Sequence, residues 1–452
     1  FSLVLMIQSL QLLLVQKGAF SMQVIYPIVC GVDVHKTFIV AVICDSTSIE
    51  PKYIRKRFST FKNYLIDFRD WLLQHDCQNV CMESTGKYYI PVYNALEGHI
   101  SNVVVANPKW VRAVKGEKDD NKDAKWIADL FKLGMARSSF IPGKDIRILR
   151  ELTRYLYKVV GIASSEKNRF QNALVVGNLR ADMVFSDVFG KSASSVVDLI
   201  LSNDDVTDKE ILSKVHPICK ASNEEILEAT THVELTSIQK SRIKLIRDHY
   251  DYLQTLKENL SELIQVMIEP YESFVTLLCT IPGVSRKSAI TILSEIGPDM
   301  SQFSNHYRLS KWAGLAPGQN ASAGKKKSTR ISRAGVYLKP CLVEVAHAAV
   351  KDKKEPYFSI KFNKISKRRG KKRAYIAIAR KILVCAYHML MSGEAFKPSD
   401  LADVETPKEQ RAKYIANNLR QSIKELNAIG VSLEEIITMM KQTKGLKEQI
   451  AS

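Results

Sequence analysis

Four acidic residues in the first third of the chain lie where predicted strands end or a predicted helix begins. Asp33 ends an apolar run in "GVDVHK", and Glu83 ends another in "MESTGK". Asp120 and Asp123 follow in "KDDNKDAKW", three residues apart, which turns both side chains toward one side of a helix. Because converging carboxylates repel one another unless divalent cations lie among them, the pattern predicts a magnesium site. Two such ions can hold the attacking and leaving oxygens of a phosphodiester.

Three of these acids also have a purely structural alternative. Asp120 or Asp123 could cap the helix, and Asp33 could stabilise a turn. Asp119 competes with Asp120 for the third position, because it lies four residues before Asp123. The sequence leaves these alternatives open.

A second candidate for chemistry is Ser322, in "GLAPGQNASAGKKKSTRIS". A serine hydroxyl is a weak nucleophile, but small neighbours let a phosphodiester approach, and Gly324 permits backbone amides to turn toward its oxygens. No histidine lies close in sequence to act as a base. The alternative is that Ser322 is one of several polar residues in a basic DNA-binding loop. The cations that would offset charge on the phosphoryl group are Lys325, Lys326, Lys327 and Arg330.

A third segment, "KISKRRGKKRAYIAIARKI", concentrates positive charge. It predicts a surface that contacts phosphates and adds salt-dependent affinity with little choice of sequence. The alternative is a solvated surface loop. The cations concerned are Lys367, Arg368, Arg369, Lys371, Lys372 and Arg373.

The composition of the whole chain indicates a polyanionic partner. The 452 residues are too many for one ordinary core, so two or three domains are expected. Lysine and arginine number 66 against 47 acidic residues, a formal charge of +19, which favours nucleic acid over a basic surface that binds nothing. The eight cysteines are scattered without a zinc pattern, which predicts small buried side chains in a reducing compartment. Trp110, Trp126 and Trp312 are expected to anchor the core.

The elements that must position the acids can be read from residue 28 onward. "IVCGVDV", "TFIVAVIC" and "KYIRKRFS" follow one another as strand patterns, and "FKNYLIDFRDWLLQH" then has helical spacing. A strand "NVCMES", a helix near "YYIPVYNALEG", a strand "NVVVAN" and a helix "DAKWIADLFKLG" complete the region. Three meandering strands followed by alternating helix and strand predict an α/β RNase H-like domain.

From about residue 145 the pattern becomes helical. "LLCTIPGVSRKSAITILSEIG" predicts two helices joined by a tight turn, either a hairpin that holds a DNA backbone on its turn amides or a plain αα-hairpin. A second stretch, "IRDHYDYLQTLKENLSELIQVMI", has near-heptad spacing that predicts a coiled coil or, alternatively, an ordinary helical bundle. We therefore expect a helical or coiled-coil middle and a mainly α C-terminal domain. The near-heptad residues are Ile246, Tyr250, Leu253, Leu256, Leu260, Leu263 and Met267.

The predicted division of the chain has five parts. A signal sequence is not expected in the first 21 residues, because polar residues interrupt their apolar run and a cleavage site is lacking. These residues are expected to be an extension outside the fold, since Met22 opens the first strand region. No segment is expected to span a bilayer, which predicts a cytosolic protein without membrane contact. The parts are residues 1–21, an α/β domain at 22–144, a helical insert at 145–272, a domain containing Ser322 at 273–396 and a helical tail at 397–452.

These motifs together resemble a known family. "GVDVHK", "ESTGKY" and "DDNKDAKWIADL" are similar to the acidic motifs of the DEDD transposases, the insertion-sequence 110 family with its 1111 branch. "IPGVSRKSAITILSEIG" and "GLAPGQNASAGKKKSTRISRAGVYLKP" resemble the second, C-terminal transposase domain of that family. The resemblance covers roughly residues 28–392, in order. An alanine before the serine and the Asp119–Asp120 doublet are small departures from the family's pattern.

The resemblance implies a fold, a reaction and partners. The N-terminal domain would be RuvC-like and bind Mg²⁺ through Asp33, Glu83, Asp120 and Asp123, and Ser322 would be the nucleophile that forms a phosphoserine link to DNA. Members of the family are recombinases of donor and target DNA. They act as homo-oligomers, dimers or tetramers, with a noncoding guide RNA encoded by the element.

Two other functions compete with this interpretation. In a RuvC-like metal-dependent nuclease or resolvase, the acids would activate water for hydrolysis and the serine loop would only grip DNA. A non-catalytic DNA-binding or RNA-binding protein would need cations rather than acids at the ends of strands. Formation of a covalent protein–DNA link separates the first interpretation from both.

Overall fold

The computed structural model describes residues 24–397, apart from positions 49, 85, 109–119, 204, 232, 318–319, 323–324, 329 and 353–354, together with eight isolated positions between 416 and 435. For residues 120, 121, 320–322 and 325–327 it describes the backbone alone. The chain divides into two compact units, residues 1–141 (unit 1) and 142–452 (unit 2). The predicted tail at 397–452 and the extension at 1–21 lie almost entirely outside the described residues, and the five-part division stays a prediction.

Unit 1 contains a mixed sheet flanked by helices, which confirms the expected α/β character. Strands β1 to β3 form an antiparallel meander, whereas β4 and β5 run parallel to β1 and give the order β3-β2-β1-β4-β5. Parallel neighbours need a crossover, and the helices between the strands supply it. The elements are β1 (Ile28–Val34), β2 (Phe38–Asp45), β3 (Lys52–Ser59), α1 (Lys62–Gln74), β4 (Asn79–Glu83), α2 (Tyr89–Leu96), β5 (Asn102–Ala106) and α3 (Asp120–Lys132).

The sheet of unit 1 buries both faces, because β1, β2 and β4 carry apolar residues at successive positions rather than at alternate ones. On one face, Val32 and Met82 pack with Phe68 of α1. On the other face, Val29 and Cys81 pack beneath α3. The free edge is different: all of β3 except its last two residues is exposed.

Unit 2 begins with two long helices that pack along each other in opposite directions. They are α4 (Lys144–Val176) and α9 (Ser237–Ile268). Phe170, late in α4, packs with Ile243, early in α9, whereas Val159 packs with Leu253 and Leu260 farther along. Between them the chain forms four short helices that bury a cluster of their own against one end of the pair. These are α5 (Ala181–Val184), α6 (Lys191–Ser202), α7 (Asp208–Ser213) and α8 (Asn223–Thr230).

The near-heptad face of α9 differs from its prediction toward the C-terminal end. Leu253 and Leu260 are buried as expected, but Leu263 is 53% exposed and the buried positions are Ile264 and Ile268. The predicted residues from Leu253 to Met267 keep a 3.5-residue spacing, whereas the buried residues Leu260, Ile264 and Ile268 are four apart. A long helical pair and a small helical cluster thus coexist in this region, and a coiled coil stays a prediction.

The remainder of unit 2 is helical apart from one short hairpin. The sequence analysis expected no membrane span, but the longest helix of this remainder is, by length and composition alone, apolar enough to cross a bilayer. Half of its most apolar window is buried inside the protein, as expected of a core helix, and Ala379, Ile382 and Leu383 are fully buried. The elements are α10 (Glu272–Cys279), α11 (Arg286–Ile296), α12 (His306–Trp312), β6 (Asn320–Ser322), β7 (Lys325–Ser328), α13 (Leu338–Lys351), α14 (Tyr357–Arg369) and that core helix, α15 (Lys371–Ser392).

The predictions for the tryptophans and cysteines are confirmed only in part. Trp126 is 37% exposed on α3, so the expectation that it anchors the core is wrong. Trp312 is half-buried against Phe303, and Trp110 lies outside the described residues. The eight cysteines are free thiols, four of them fully buried, as the composition predicted.

Candidate functional site

The carboxyl ends of β1 and β4 lie side by side at one edge of the sheet. The two strands are parallel, and extending their register by one residue sets Asp33 beside Glu83. Side chains of a strand point to opposite faces in turn, so Asp33 lies on the face of Val29 and Glu83 on the face of Cys81. Both apolar residues pack beneath α3. The two acids therefore share the α3 face of this edge.

Helix α3 crosses β1 in direct backbone contact, because β1 has no side chain at the crossing point. A Cβ atom added to Gly31 would lie 2.2 Å from the carbonyl oxygen of Ala124 and 2.4 Å from the backbone nitrogen of Ala128. Only glycine on the strand and small residues on the helix permit this approach. The close contact fixes how far α3 stands from the acids of the sheet.

The direction of α3 brings its first turn to the same edge. Its last residue, Lys132, accepts a backbone hydrogen bond from Ile25, just before the start of β1. Near its beginning, Ala124 packs against Val40, which pairs with Asp33 across the β1–β2 ladder. The helix thus begins over the edge where β1 and β4 end, and this edge is called the acidic edge below.

The two helical acids of the prediction fall in that first turn. Asp123 is half-buried. The side chain of Asp120, and all of Asp119, lie outside the described residues, so the choice between them as third acid stays a prediction. The same holds for the alternative that one of these acids caps the helix.

The structure adds one residue that sequence reasoning missed at the acidic edge. Nε2 of His35 lies 2.9 Å from Oδ2 of Asp33, and the His35 ring stacks on Phe38 with centroids 4.5 Å apart. The side chain of Asp33 is only 15% exposed. The available signal in the sequence was a histidine two residues after an acid near the end of a strand. The alternation of apolar and polar residues does not reveal that the turn brings the His35 ring back to Asp33. His35 thus helps to fix the orientation of the Asp33 carboxylate.

The acidic edge contains carboxylates, which are common ligands of metal ions. Within the part of the chain that the structure describes, no three His, Cys, Asp or Glu side chains stand close enough together to hold a metal ion. The donors Asp33, Glu83 and Asp123 are all carboxylates that share one edge, which fits the oxygen ligands that Mg²⁺ prefers. The described residues therefore bring carboxylates to this edge without forming a complete set of metal ligands, and the magnesium site stays a prediction.

Ser322 lies at the tip end of a β-hairpin in unit 2. Strand β6 pairs antiparallel with β7, and the register sets Ser322 opposite Lys325 across a connection of two small residues. Outside the strands, a bridge between Pro317 and Ile331 extends the ladder away from the tip. The predicted loop is thus a hairpin that holds the backbone of Ser322 beside that of a lysine.

The predicted cations divide into two groups. Lys326 and Lys327 follow Lys325 in β7, and Arg330, which is exposed, comes after the strand. The basic run is not the loop of the alternative interpretation, because it belongs to two consecutive helices that meet at Gly370, whose φ is +81°. The last turn of α14 carries Lys367, Arg368 and Arg369, and the first turn of α15 carries Lys371, Lys372 and Arg373.

Only part of this charge converges on one place. Arg330, Lys372 and Arg373 line the same groove of unit 2, whereas Lys367 and Lys371 do not line it. The first turn of α15 carries three cations and no acidic residue. These charges are repelled by the positive end of the helix dipole, which lowers the stability of the helix unless anions bind nearby.

The predicted tight turn of "TIPGV" joins α10 to α11. Gly283 has φ +83°, and an added Cβ atom would lie 2.4 Å from the backbone nitrogen of Ala349 on α13. Ser285 caps α11 by accepting a hydrogen bond from the amide of Ser288. This confirms an αα-hairpin, and contact of its amides with DNA stays a prediction.

Comparisons with known proteins agree with these two regions. The family model of the DEDD transposase of IS110 elements, described as "Transposase", matches residues 30–177, which contain all four acids. The model described as "Transposase IS116/IS110/IS902 family" matches residues 275–361, which contain the Ser322 hairpin but not the cations from Lys367 to Arg373.

A curated relative supports the same assignment. The "Transposase for insertion sequence element IS1111A" of Coxiella burnetii (strain RSA 493 / Nine Mile phase I) is 32% identical over 122 residues, 26% of this chain and 33% of the relative. The match thus spans about a third of the relative's length. With both family models matching in order, the chain belongs to the IS110/IS1111 family of insertion-sequence transposases.

Proposed function

We propose that this protein is a DNA transposase that cuts and rejoins DNA strands through a covalent phosphoserine link at Ser322. The observation that carries the proposal is the pairing of two separately built features in one chain. One is the acidic edge of unit 1, and the other is a hairpin serine followed by cations in unit 2. Family membership supports the pairing, because each matched region contains one of the two features.

We assign the sheet of unit 1 to the RuvC-like, RNase H-like class. Support comes from the strand order β3-β2-β1-β4-β5, with an antiparallel meander joined to parallel strands. In open sheets of this kind, sites form at the carboxyl ends of parallel strands. The acids Asp33 and Glu83 follow that rule.

The acidic edge would hold Mg²⁺ through Asp33, Glu83, Asp123 and Asp120. When bound, the metal would supply positive charge at a phosphodiester and activate its oxygens. His35 would hold the carboxylate of Asp33 in one orientation through the 2.9 Å contact. The backbone contact of Gly31 with α3 would set the distance between the helical acids and those of the sheet.

Ser322 would act as the nucleophile. Its hydroxyl oxygen forms a bond to phosphorus, the bond from phosphorus to the leaving sugar oxygen breaks, and the serine proton goes to that leaving oxygen. A hydroxyl of a second DNA strand then attacks the phosphoserine, which restores serine and joins the strands. The number of phosphoester bonds stays constant, so no ATP is needed. Lys325, Lys326, Lys327 and Arg330 would offset the charge that builds on the phosphoryl group.

The partners in this proposal are donor and target DNA and a noncoding guide RNA encoded by the element, bound by a homo-oligomer. The formal charge of +19 supports polyanionic partners. The cations on α14 and α15 would contact phosphates without reading sequence. Sequencing the RNA that copurifies with the protein from cells carrying its native flanking DNA tests the guide. A discrete RNA species from beside the gene is expected, and random cellular RNA would contradict it.

The covalent step is tested by denaturing a reaction with labelled donor DNA and looking for DNA attached to protein. The protein with Ser322 should give this adduct, and Ser322→Ala should give neither adduct nor cleavage. Ser328→Ala is the matched control, because it removes a hydroxyl from the paired strand of the same hairpin. Cleavage by Ser322→Ala without an adduct would instead establish hydrolysis by a metal-dependent nuclease.

The metal site is tested with Asp33→Asn and Glu83→Gln, which should abolish the adduct while leaving DNA binding intact. Asp45→Asn is the control, since Asp45 ends β2 opposite Ile28 and thus lies at the end of the strands that is opposite the acidic edge. Unchanged activity of Asp33→Asn and Glu83→Gln would indicate a protein that only binds nucleic acid.

A further inference from the structure

A groove of about 890 Å³ in unit 2 is lined by cations from three parts of the chain, which are the flank of the Ser322 hairpin, α14 and α15. It lies between α12, α14 and α15, and the residues that flank the Ser322 hairpin complete its wall. None of the described residues that line it is acidic. The cations are Arg330, Lys361, Lys372, Arg373, Arg380 and Lys381. Six cations in a lining that contains no acidic residue favour an anionic ligand.

The groove also has an apolar side, which distinguishes it from a surface that only contacts phosphates. Branched aliphatic side chains from the same three parts of the fold line it beside the cations. Phosphates alone gain nothing from such a surface, whereas the face of a nucleobase does. These side chains are Leu315, Ile331, Ile365, Ile376 and Val384.

An aromatic platform stands in the same groove. Tyr307 lines it and is 62% exposed, an unusual amount for a large aromatic side chain. The guanidinium carbon of Arg380 lies 5.8 Å from the centre of the Tyr307 ring, and the centres of the His306 and Tyr307 rings are 4.1 Å apart. Exposed aromatic rings flanked by arginine are the surfaces on which unpaired bases stack.

The groove is continuous with the hairpin of Ser322. Pro317 and Ile331, which bridge the base of the hairpin, both line the groove. Pro317 and Ser322 are five residues apart in the sequence, so at roughly 3.3 Å per residue they are separated by at most about 17 Å. A strand whose phosphate reached the hairpin tip would therefore pass the groove within a few nucleotides.

We propose that this groove binds an unpaired nucleotide of the DNA strand that Ser322 attacks, with its base against Tyr307 and its phosphates among the six cations. The choice of DNA rests on the proposed function, because it follows from continuity with the hairpin. Bases of a duplex are stacked and cannot enter a pocket, so the strand is held single-stranded here.

The state of His306 agrees with a positive groove. Burial, together with the charges of His388, Arg380 and Lys381, lowers the pKa of His306. The imidazole is thus kept neutral near pH 7 by surroundings that disfavour a further cation. Phosphates bound among the arginine and lysine side chains would relieve this effect.

The test measures binding of a short single-stranded DNA to the Ser322→Ala protein, which cannot form the covalent link. A fully abasic strand of the same length keeps every phosphate and lacks the bases. Tyr307→Ala should weaken binding of the normal strand about 5- to 150-fold, and leave the abasic strand unchanged. Tyr307→Phe should restore binding, because the ring face is kept. Tyr252→Ala is the matched control, since Tyr252 is also 62% exposed but lies on α9.

Three outcomes would overturn the inference. These are equal weakening of normal and abasic strands, tighter binding of duplex than of single-stranded DNA, and tighter binding of RNA than of DNA of the same sequence. Failure of the proposed function is seen separately, as the absence of a protein–DNA adduct with Ser322 present. An adduct without base-dependent binding at Tyr307 rejects the groove alone.

Discussion

The most direct test of the acidic edge is Gly31→Ala. The new Cβ atom would lie 2.2 Å from a backbone oxygen of α3, whereas ordinary contact begins at 3.4 Å, so α3 must move away from β1 by about 1.2 Å. Backbone cannot rotate out of the way as a side chain can, so the cost should reach the upper end for overpacking, about 3 kcal/mol. For a domain of this size that is a loss of roughly 6–12 °C in melting temperature.

The same shift separates the helical acids from those of the sheet. A displacement of about 1 Å can lower a reaction rate about 100-fold, so formation of the protein–DNA adduct should fall by that order. Melting temperature and adduct yield are measured on the full chain. Gly161→Ala is the matched control, because nothing lies within 4 Å of an added Cβ atom there, and alanine inside α4 should stabilise by up to about 1 kcal/mol.

An unchanged melting temperature for Gly31→Ala would show that α3 does not contact β1 in this way. Lower stability with full adduct yield would show that the position of α3 does not matter to the reaction. Either result would refute the reasoning that ties Asp123 to the acids of the sheet.

The other predictions concern unit 2 and the thiols. Leu260→Ala, at a buried position of the helical pair, should cost about 2–5 kcal/mol in urea unfolding, whereas Leu263→Ala, at an exposed one, should stay within about 0.5 kcal/mol. Equal losses of stability from the two substitutions would contradict the exposure of Leu263 and support the near-heptad positions predicted from the sequence. Glu295 is 4% exposed and bonded twice by Arg154, at 2.6 and 2.8 Å. Arg154→Ala should destabilise by about 2 kcal/mol, less than a fully buried pair because the arginine is partly exposed, and the Glu295→Gln change in that background should recover part of the loss. Burial raises the pKa of Cys77 to about 12, so a thiol reagent at pH 8 should modify it only after the protein is unfolded. Rapid modification of the native protein would contradict its burial.

Much of unit 1 could be predicted from sequence because its signals are local. Strands such as β1 are short, apolar and β-branched, and each is bounded by polar residues, so their limits follow from pattern alone. Acids at the ends of apolar strands also stand out, because an uncompensated carboxylate is costly there. Asp33 and Glu83 were predicted as candidates for this reason, and their role stays a prediction.

Predictions failed where packing between distant segments decides the outcome. Leu263 is apolar and belongs to the predicted stripe, yet it is exposed, and its neighbour Ile264 is buried instead. The basic run is exposed as expected, but it forms the ends of two helices that meet at Gly370 and not the loop of the alternative interpretation. Trp126 is exposed because the small residues Ala124 and Ala128, not the tryptophan, face β1.

The sequence by itself determined the kinds of secondary structure, the excess of cations and the identity of the acids and the serine, because each depends on residue type and short spacing. Only the tertiary structure decided that α3 runs back over the ends of β1 and β4, that His35 turns onto Asp33, and that Tyr307 shares a groove with cations from distant helices. Those relations depend on which surfaces bury each other across long stretches of chain. Local pattern does not contain that information, since the free energy of burial is gained only when the segments meet.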